Sequence, residues 1–346
     1  MVSGRFRRLL ALAALGTAAG LASAATGLTV LPTPPDSGPV TVFYPTTTAA
    51  ASKLQRGPFS IDATLNAAPL RGNGHLVVMS HGSGGSPWPQ ADLAQALVNA
   101  GFTVAMPEHA GDNWHDMRGV GPVTWKHRPK EVSQAIDAMA ADARFAPLLD
   151  FQDVGVYGMS AGGLTALTLA GARWSPAGLS KHCDAHLSED FPTCVGLLTE
   201  LNGGLFDPLK RTIATWIIHF KFADDTAMQG WDEPRIKAAV AAVPMAAPVD
   251  MASLVQPRIP LGLVRAGKDG WLAPPWHIDA VRAACKNCTL IADMPDGGHG
   301  SILSPQPADL PARAAKLLND PPGFDRSGLP RTYAAIAAFF VKNLAP

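Results

Sequence analysis

The chain has 346 residues, 47% of them apolar, enough to bury a full hydrophobic core. Lys plus Arg and Asp plus Glu each number 28 and no long basic run occurs, which argues against nucleic acid and anionic membrane as partners. Glycine (33) and proline (31) fall between periodic segments, the habit of a loop-rich globular protein rather than a disordered one.

The N-terminus, "MVSGRFRRLL", sets Arg5, Arg7 and Arg8 ahead of the apolar run "LLALAALGTAAGLASA", which ends in Ala22-Ser23-Ala24. This pattern predicts a secretory signal peptide over residues 1–24, cleaved after Ala24, with export to the periplasm or the medium. A retained membrane anchor is the competing reading, but the run is short, rich in Ala and Gly and closed by a cleavage pattern. Arg7-Arg8 by itself is weak evidence for twin-arginine export. An exported chain gives its four cysteines a meaning as disulfides, with nearest-neighbour pairs Cys183 with Cys194 and Cys285 with Cys288. The alternative for "ACKNC", a redox or metal-binding C-x-x-C, lacks both a second such motif and a thioredoxin-like turn.

Residues 26 to about 72 read as leading strands and a polar connection, with "VTVFYP" alternating as a strand. A strand–helix alternation follows. "HLVVMS" is a short apolar run ending in the turn "HGSGGSP"; "WPQADLAQALVNAG" has helical spacing and stops at Gly101; "FTVAMP" is a second buried strand. Pro129 to Asp150 reads as helix, "VGVYG" as a third strand, and "AGGLTALTLAGA" as a small-residue helix. The alternation breaks over about 173–231, an insert predicted to form a cap, and resumes with the strands "IKAAVAAVP", "PLGLVRAG" and "TLIADMP" and the helices "WHIDAVRAAC" and "TYAAIAAFFVKNLA". Continuous apolar strands alternating with helices predict an α/β fold over 25–346, a mostly parallel sheet covered by helices on both faces.

Gly158-Met159-Ser160-Ala161-Gly162 fits the G-x-S-x-G nucleophile elbow. A serine hydroxyl is a poor nucleophile and must be lifted clear of the backbone beside a base. The bare pattern is weak evidence, but here a strand-like run precedes it and a helix-like run follows, as the elbow requires. Upstream, "HGSGGS" follows a strand and lacks the spacing of either a dinucleotide loop or a phosphate loop. It is read as an oxyanion turn, with the Ser83 and Ala161 N–H groups as donors. The base is expected late in the chain, and among ten histidines His299 in "DMPDGGHGS" is the best placed. His277 is predicted inside a helix, and His109 and His115 precede the serine. The orienting acid should follow a strand between Ser160 and His299; Asp269 in "AGKDG" meets both conditions, with Asp250 the runner-up. The cluster "KHCDAH" (His182, Cys183, Asp184, His186) admits a metal reading, but in an exported chain a disulfide cysteine is preferred and no metal is expected.

Strand plus "HGSGG", strand plus "GMSAGG", strand plus "AGKD" and strand plus "GGHG" occur in the order of oxyanion loop, nucleophile, acid and base in the α/β-hydrolase fold, and the chain resembles that fold. Within it, "VFYP", "VVMSHGSGG", "AGFTVAMPEHAGDN", Arg128-Pro129 and "YGMSAGGLTALTLAGA" resemble the dienelactone hydrolase-related group, near bacterial relatives of platelet-activating-factor acetylhydrolases. The resemblance spans roughly residues 38–172 and 232–345. Dienelactone hydrolases proper use a cysteine nucleophile, whereas position 160 is serine. The resemblance therefore implies an ester hydrolase without an organic cofactor or metal, and it leaves the ester unnamed. Substrate contacts are expected from Asn113 and Trp114 in the loop after "AMPEHAGDN" and from Trp216 and Phe220 in the cap; packing of that apolar segment against the core is the alternative. A serine peptidase of the same fold and a non-catalytic binding protein are the rival functions. The expected partner is a small-molecule or lipid-like ester, with no nucleic acid and no stable membrane insertion after processing.

Overall fold

The computed structural model describes residues 25–33, 37–196, 198–307, 309–310 and 312–344; the signal peptide expected over 1–24 lies outside them. Its strands are β1 (Ala25–Leu31), β2 (Val40–Thr46), β3 (Leu54–Arg56), β4 (Phe59–Ile61), β5 (Thr64–Leu65), β6 (His75–Ser80), β7 (Thr103–Pro107), β8 (Asp150–Met159), β9 (Arg173–Trp174), β10 (Ile236–Ala242), β11 (Val249–Asp250), β12 (Leu261–Ala266) and β13 (Thr289–Met294). Nine of them form one sheet among the described residues, in the order β13-β12-β10-β8-β6-β7-β2-β1-β5. Every pair from β13 to β7 is parallel, and β2 joins antiparallel to β7 and to β1. The parallel strands are the apolar runs of the sequence because helices cover both their faces and leave no polar side.

The helices are α1 (Ala91–Asn99), α2 (Pro122–Trp125), α3 (Arg128–Ala141), α4 (Ala161–Leu169), α5 (Pro176–His186), α6 (Phe191–Val195), α7 (Asp207–Phe222), α8 (Ile278–Ala284), α9 (Ala312–Leu318) and α10 (Leu329–Asn343). On one face Leu93 and Leu97 of α1 and Ile336 and Phe340 of α10 pack on Val77, Val104 and Val240. On the other, Val132 and Ile136 of α3, Leu167 of α4 and Val281 of α8 pack on Val78, Val156 and Leu263. A third apolar cluster joins α5, α6 and α7 to the core through Leu179, Phe191, Ala214 and Ile218, which meet Ala161 and Leu164 of α4.

Two local expectations shift. The helix expected to run from Pro129 to Asp150 ends at Ala141, because Asp142 turns extended (ψ 120°) and its carboxylate accepts the Arg144 N–H at 2.9 Å; Asp150 opens β8. His277, expected within a helix, stands before its first turn, as the N-cap of α8 (φ −120°, ψ −98°). Both disulfides, Cys183–Cys194 and Cys285–Cys288, are formed.

Candidate functional site

Ser160 sits where β8 turns into α4, with φ 60° and ψ −120°, a conformation that costs a non-glycine residue energy. The turn is held on both sides: the Ser160 N–H donates to the Ala242 carbonyl at 3.1 Å, and its carbonyl accepts the Met245 N–H at 2.9 Å. The residues two places before and after it must be glycine for lack of room. A Cβ at Gly158 would stand 1.8 Å from the Gly162 oxygen, and one at Gly162 would stand 2.0 Å from the Ser80 oxygen.

His299 lies in the loop after β13, and Asp269 in the loop after β12. The two loops are knit by backbone bonds from Gly267 to Met294 and from Lys268 to Gly297, both 2.8 Å. His299 Nδ1 is 2.7 Å from Asp269 Oδ2, and His299 Nε2 is 3.0 Å from Ser160 Oγ. The other oxygen of Asp269 accepts the Trp271 and Leu272 N–H groups, each at 2.9 Å, so the carboxylate plane is fixed. A carboxylate on Nδ1 selects the tautomer with a proton there and leaves the Nε2 lone pair facing the serine hydroxyl. The geometry can thus remove a proton from Ser160. Asp250, the alternative acid, is spent elsewhere: it caps the 3-10 turn Met251–Leu254, accepting the Ala252 N–H at 3.1 Å.

The loop after β6 abuts Ser160, since a Cβ at Gly82 would stand 3.2 Å from Ser160 Cβ. No hydrogen bond within the described residues uses the Ser83 N–H, and the Ala161 N–H, in the first turn of α4, has no acceptor in its own helix. Met117, which the sequence did not single out, rests on this loop, with its side chain against Gly84. Asn113 is buried and spends its amide in its own loop, donating to the His109 carbonyl at 2.9 Å and accepting the His115 and Asp116 N–H groups. Trp114 is exposed and donates its indole N–H to Glu108 at 3.2 Å.

In α7 the packing is done by Ala214 and Ile218, which correlates with the helix having one inner face. Trp216 and Phe220 are 67% and 80% exposed and stack on each other, so the alternative reading, in which they pack the insert on the core, does not hold for these two side chains. Leu205, Phe206, Leu209 and Ile213 extend the same outer apolar stripe.

The "KHCDAH" cluster resolves residue by residue. Cys183 is in a disulfide, Asp184 pairs with His219 at 2.6 Å, and His186 stacks on Trp276. His182 joins a trio with Asp190 and His277 whose ligating atoms lie within 4.8 Å of one another. Asp190 Oδ2 is 2.8 Å from His182 Nε2 and 2.9 Å from His277 Nε2. The Ala246 N–H donates to His277 Nδ1 at 2.9 Å, which puts the ring proton on Nε2, where it donates to Asp190 and offers no lone pair to a metal. Burial alone would raise the Asp190 carboxyl, but its bonds from His182, His277 and Thr193 bring it down to about 2. The trio is a hydrogen-bonded hub that ties α5 and α6 to the loop carrying Asp269, which Thr193 also reaches through the Trp271 carbonyl at 3.1 Å.

Neither a protein-family model nor a curated protein matches the chain. Among solved structures, a ferulic acid esterase from Streptomyces cinnamoneus matches with a TM-score of 0.54 and 17% identity, over 88% of this chain and 82% of that one. Together with the mostly parallel nine-stranded sheet and its flanking helices, this likeness assigns the chain to the α/β-hydrolase fold.

Proposed function

We propose that the protein is a serine hydrolase of carboxylic esters that works through an acyl-enzyme. The observation that carries this reading is the continuous line from Asp269 through His299 to Ser160, at 2.7 and 3.0 Å, ending on a serine in a strained strand-to-helix turn. In this mechanism His299 takes the proton from Ser160 Oγ as the oxygen attacks the ester carbonyl, and Asp269 steadies the imidazolium. The Ser83 and Ala161 N–H groups receive the developing oxyanion, His299 returns the proton to the leaving alcohol, and water repeats the cycle to release the acid. The sequence needs no metal or organic cofactor.

The substrate class is an ester, the bond cleaved by the ferulic acid esterase that shares this fold. The likeness to the dienelactone hydrolase-related group belongs to the same proposal, as does a cap over 173–231 on a single domain of 25–346. The outer stripe of Trp216, Phe220 and their neighbours favours esters presented in a lipid-like phase, since large apolar side chains are rarely left together in water without a use. Two disulfides support a working place outside the cytoplasm. The test is a panel of p-nitrophenyl esters of rising chain length, a feruloyl ester and peptide amides, with Ser160→Ala alongside. Ester turnover that falls more than about a thousandfold in the variant supports the reading; turnover within tenfold of wild type, or a wild type that cleaves only amides, overturns it.

A further inference from the structure

Behind the turn that carries Ser83 lies a buried set of charged and polar side chains that the proton transfer does not use. Asp112 and Arg128 are both fully buried, and Asp112 Oδ2 accepts from Arg128 Nη2 at 2.7 Å. Each holds the loop directly. Asp112 Oδ1 accepts the Gly84 N–H at 2.8 Å, and Oδ2 accepts the Ser83 hydroxyl at 3.3 Å and that of Thr124 at 3.2 Å. Arg128 Nη1 donates to the carbonyl of His81, at the other end of the same loop. His81 donates from Nδ1 to the Gly82 carbonyl at 2.7 Å and accepts the His109 N–H on Nε2 at 3.1 Å.

The loop is therefore gripped at His81, Gly82, Ser83 and Gly84, while the Ser83 N–H donates no hydrogen bond among the described residues. The Ser83 N–H lies in the Gly82–Ser83 peptide plane, whose carbonyl accepts from His81 Nδ1 and the Gly85 N–H, and the planes on either side carry the His81 carbonyl that Arg128 holds and the Gly84 N–H that Asp112 holds. The charges matter as well. A lone carboxylate near a developing oxyanion would oppose it, and Arg128 neutralises that field while leaving both hydrogen bonds intact. Burying such a pair adds little to stability in general, because desolvation offsets attraction, so its presence calls for another reason.

We infer that Asp112 and Arg128 are positioning residues for transition-state stabilisation, aiming the Ser83 N–H at the substrate oxyanion through the Gly84 N–H and the His81 carbonyl. The inference rests on the ester-hydrolase reading of the same site. Aim that is lost costs the transition state and not the ground state, so it lowers kcat and leaves KM nearly alone.

The test uses Asp112→Asn, Asp112→Ala and Arg128→Lys in the full mature chain. Active sites are counted in each by stoichiometric phosphonylation with a fluorophosphonate, so that misfolded protein drops out of the rates. The expected result is kcat per titrated site down about ten- to a hundredfold for Asp112→Ala and Arg128→Lys, with KM within about twofold. Asp112→Asn, which keeps an acceptor for the Gly84 N–H, should recover part of the loss. Inhibition by an alkylboronic acid, which forms a tetrahedral adduct on the serine, should weaken in step with kcat/KM. Unchanged kcat per titrated site and unchanged boronate affinity in Arg128→Lys or Asp112→Asn would overturn the inference, since a scaffold role lowers only the number of sites. A wild type that neither labels nor turns over esters would instead sink the ester-hydrolase reading itself.

Discussion

His299 Nε2 and Ser160 Oγ, 139 residues apart in the chain, meet at 3.0 Å. That meeting is made by the sheet: β8 brings the serine to its carboxyl end, and the loop after β13 brings the histidine to the same edge, where α/β sheets place their ligands. The carboxylate of Asp269 then decides which ring nitrogen faces the serine. Replacing Asp269 by Asn should leave the ring in place but favour the wrong tautomer, lowering kcat by about three to four orders of magnitude with little change in KM. Asp250→Ala should retain activity within about twofold, since that side chain caps a turn away from His299. Steady-state kinetics on one p-nitrophenyl ester decides between the two acids.

The elbow should tolerate no side chain at the glycine two residues before Ser160. Gly158→Ala sets a Cβ 1.8 Å from the Gly162 oxygen, against backbone that cannot move without displacing α4. The expected cost exceeds about 4 kcal/mol, as for other severe core clashes. Soluble yield and the thermal midpoint measure it; a Gly158→Ala protein with a wild-type midpoint would contradict the packing described.

Asp190 should make the attachment of α5 and α6 acid-sensitive. Its folded carboxyl lies near 2, below the usual 3.8, so the stability it contributes is complete above about pH 4 and is lost as pH falls towards 2. The side chain is almost wholly buried, and the shift corresponds to a contribution on the order of 2 kcal/mol. Asp190→Asn should therefore melt several degrees below wild type at pH 7, and the gap should narrow at pH 2.5. Thermal unfolding at the two pH values checks this, and a gap that widens in acid would reverse the sign.

The exposed stripe of α7 gives a separate expectation about substrates. Trp216→Ser with Phe220→Ser should lower the ratio of activity on dispersed long-chain esters to that on soluble acetate by about tenfold, through lost apolar contact with the ester phase. A ratio unchanged within twofold would remove these residues from any substrate role.

The architecture was legible because buried parallel strands print themselves as apolar runs: "HLVVMS", "FTVAMP" and "GLVRA" all lie in the sheet. Ser160, Asp269 and His299 were legible as residues at the ends of such runs, in a fixed order, and the fold brings the three within hydrogen-bond reach. What escaped is carried by groups whose partners are far away in sequence or by charges that ordinarily face water. Asp112 and Arg128 read as loop and helix-start residues, and only the fold shows them wholly buried against each other. His277 and Asp190 are separated by 87 residues, so a reading of "KHCDAH" on its own had no means of finding that His182 shares a carboxylate with a histidine from the core. Trp216 and Phe220 were legible as an apolar face, but which side of α7 faces inward depends on the helices beneath it.

The central claim is that Ser160 is an activated nucleophile, and it is tested most directly by mass mapping after exposure to a fluorophosphonate. One adduct per chain is expected, on the peptide containing Ser160, absent in Ser160→Ala and formed far more slowly in His299→Ala. A chain that stays unlabelled, or one labelled equally in Ser160→Ala, would contradict it.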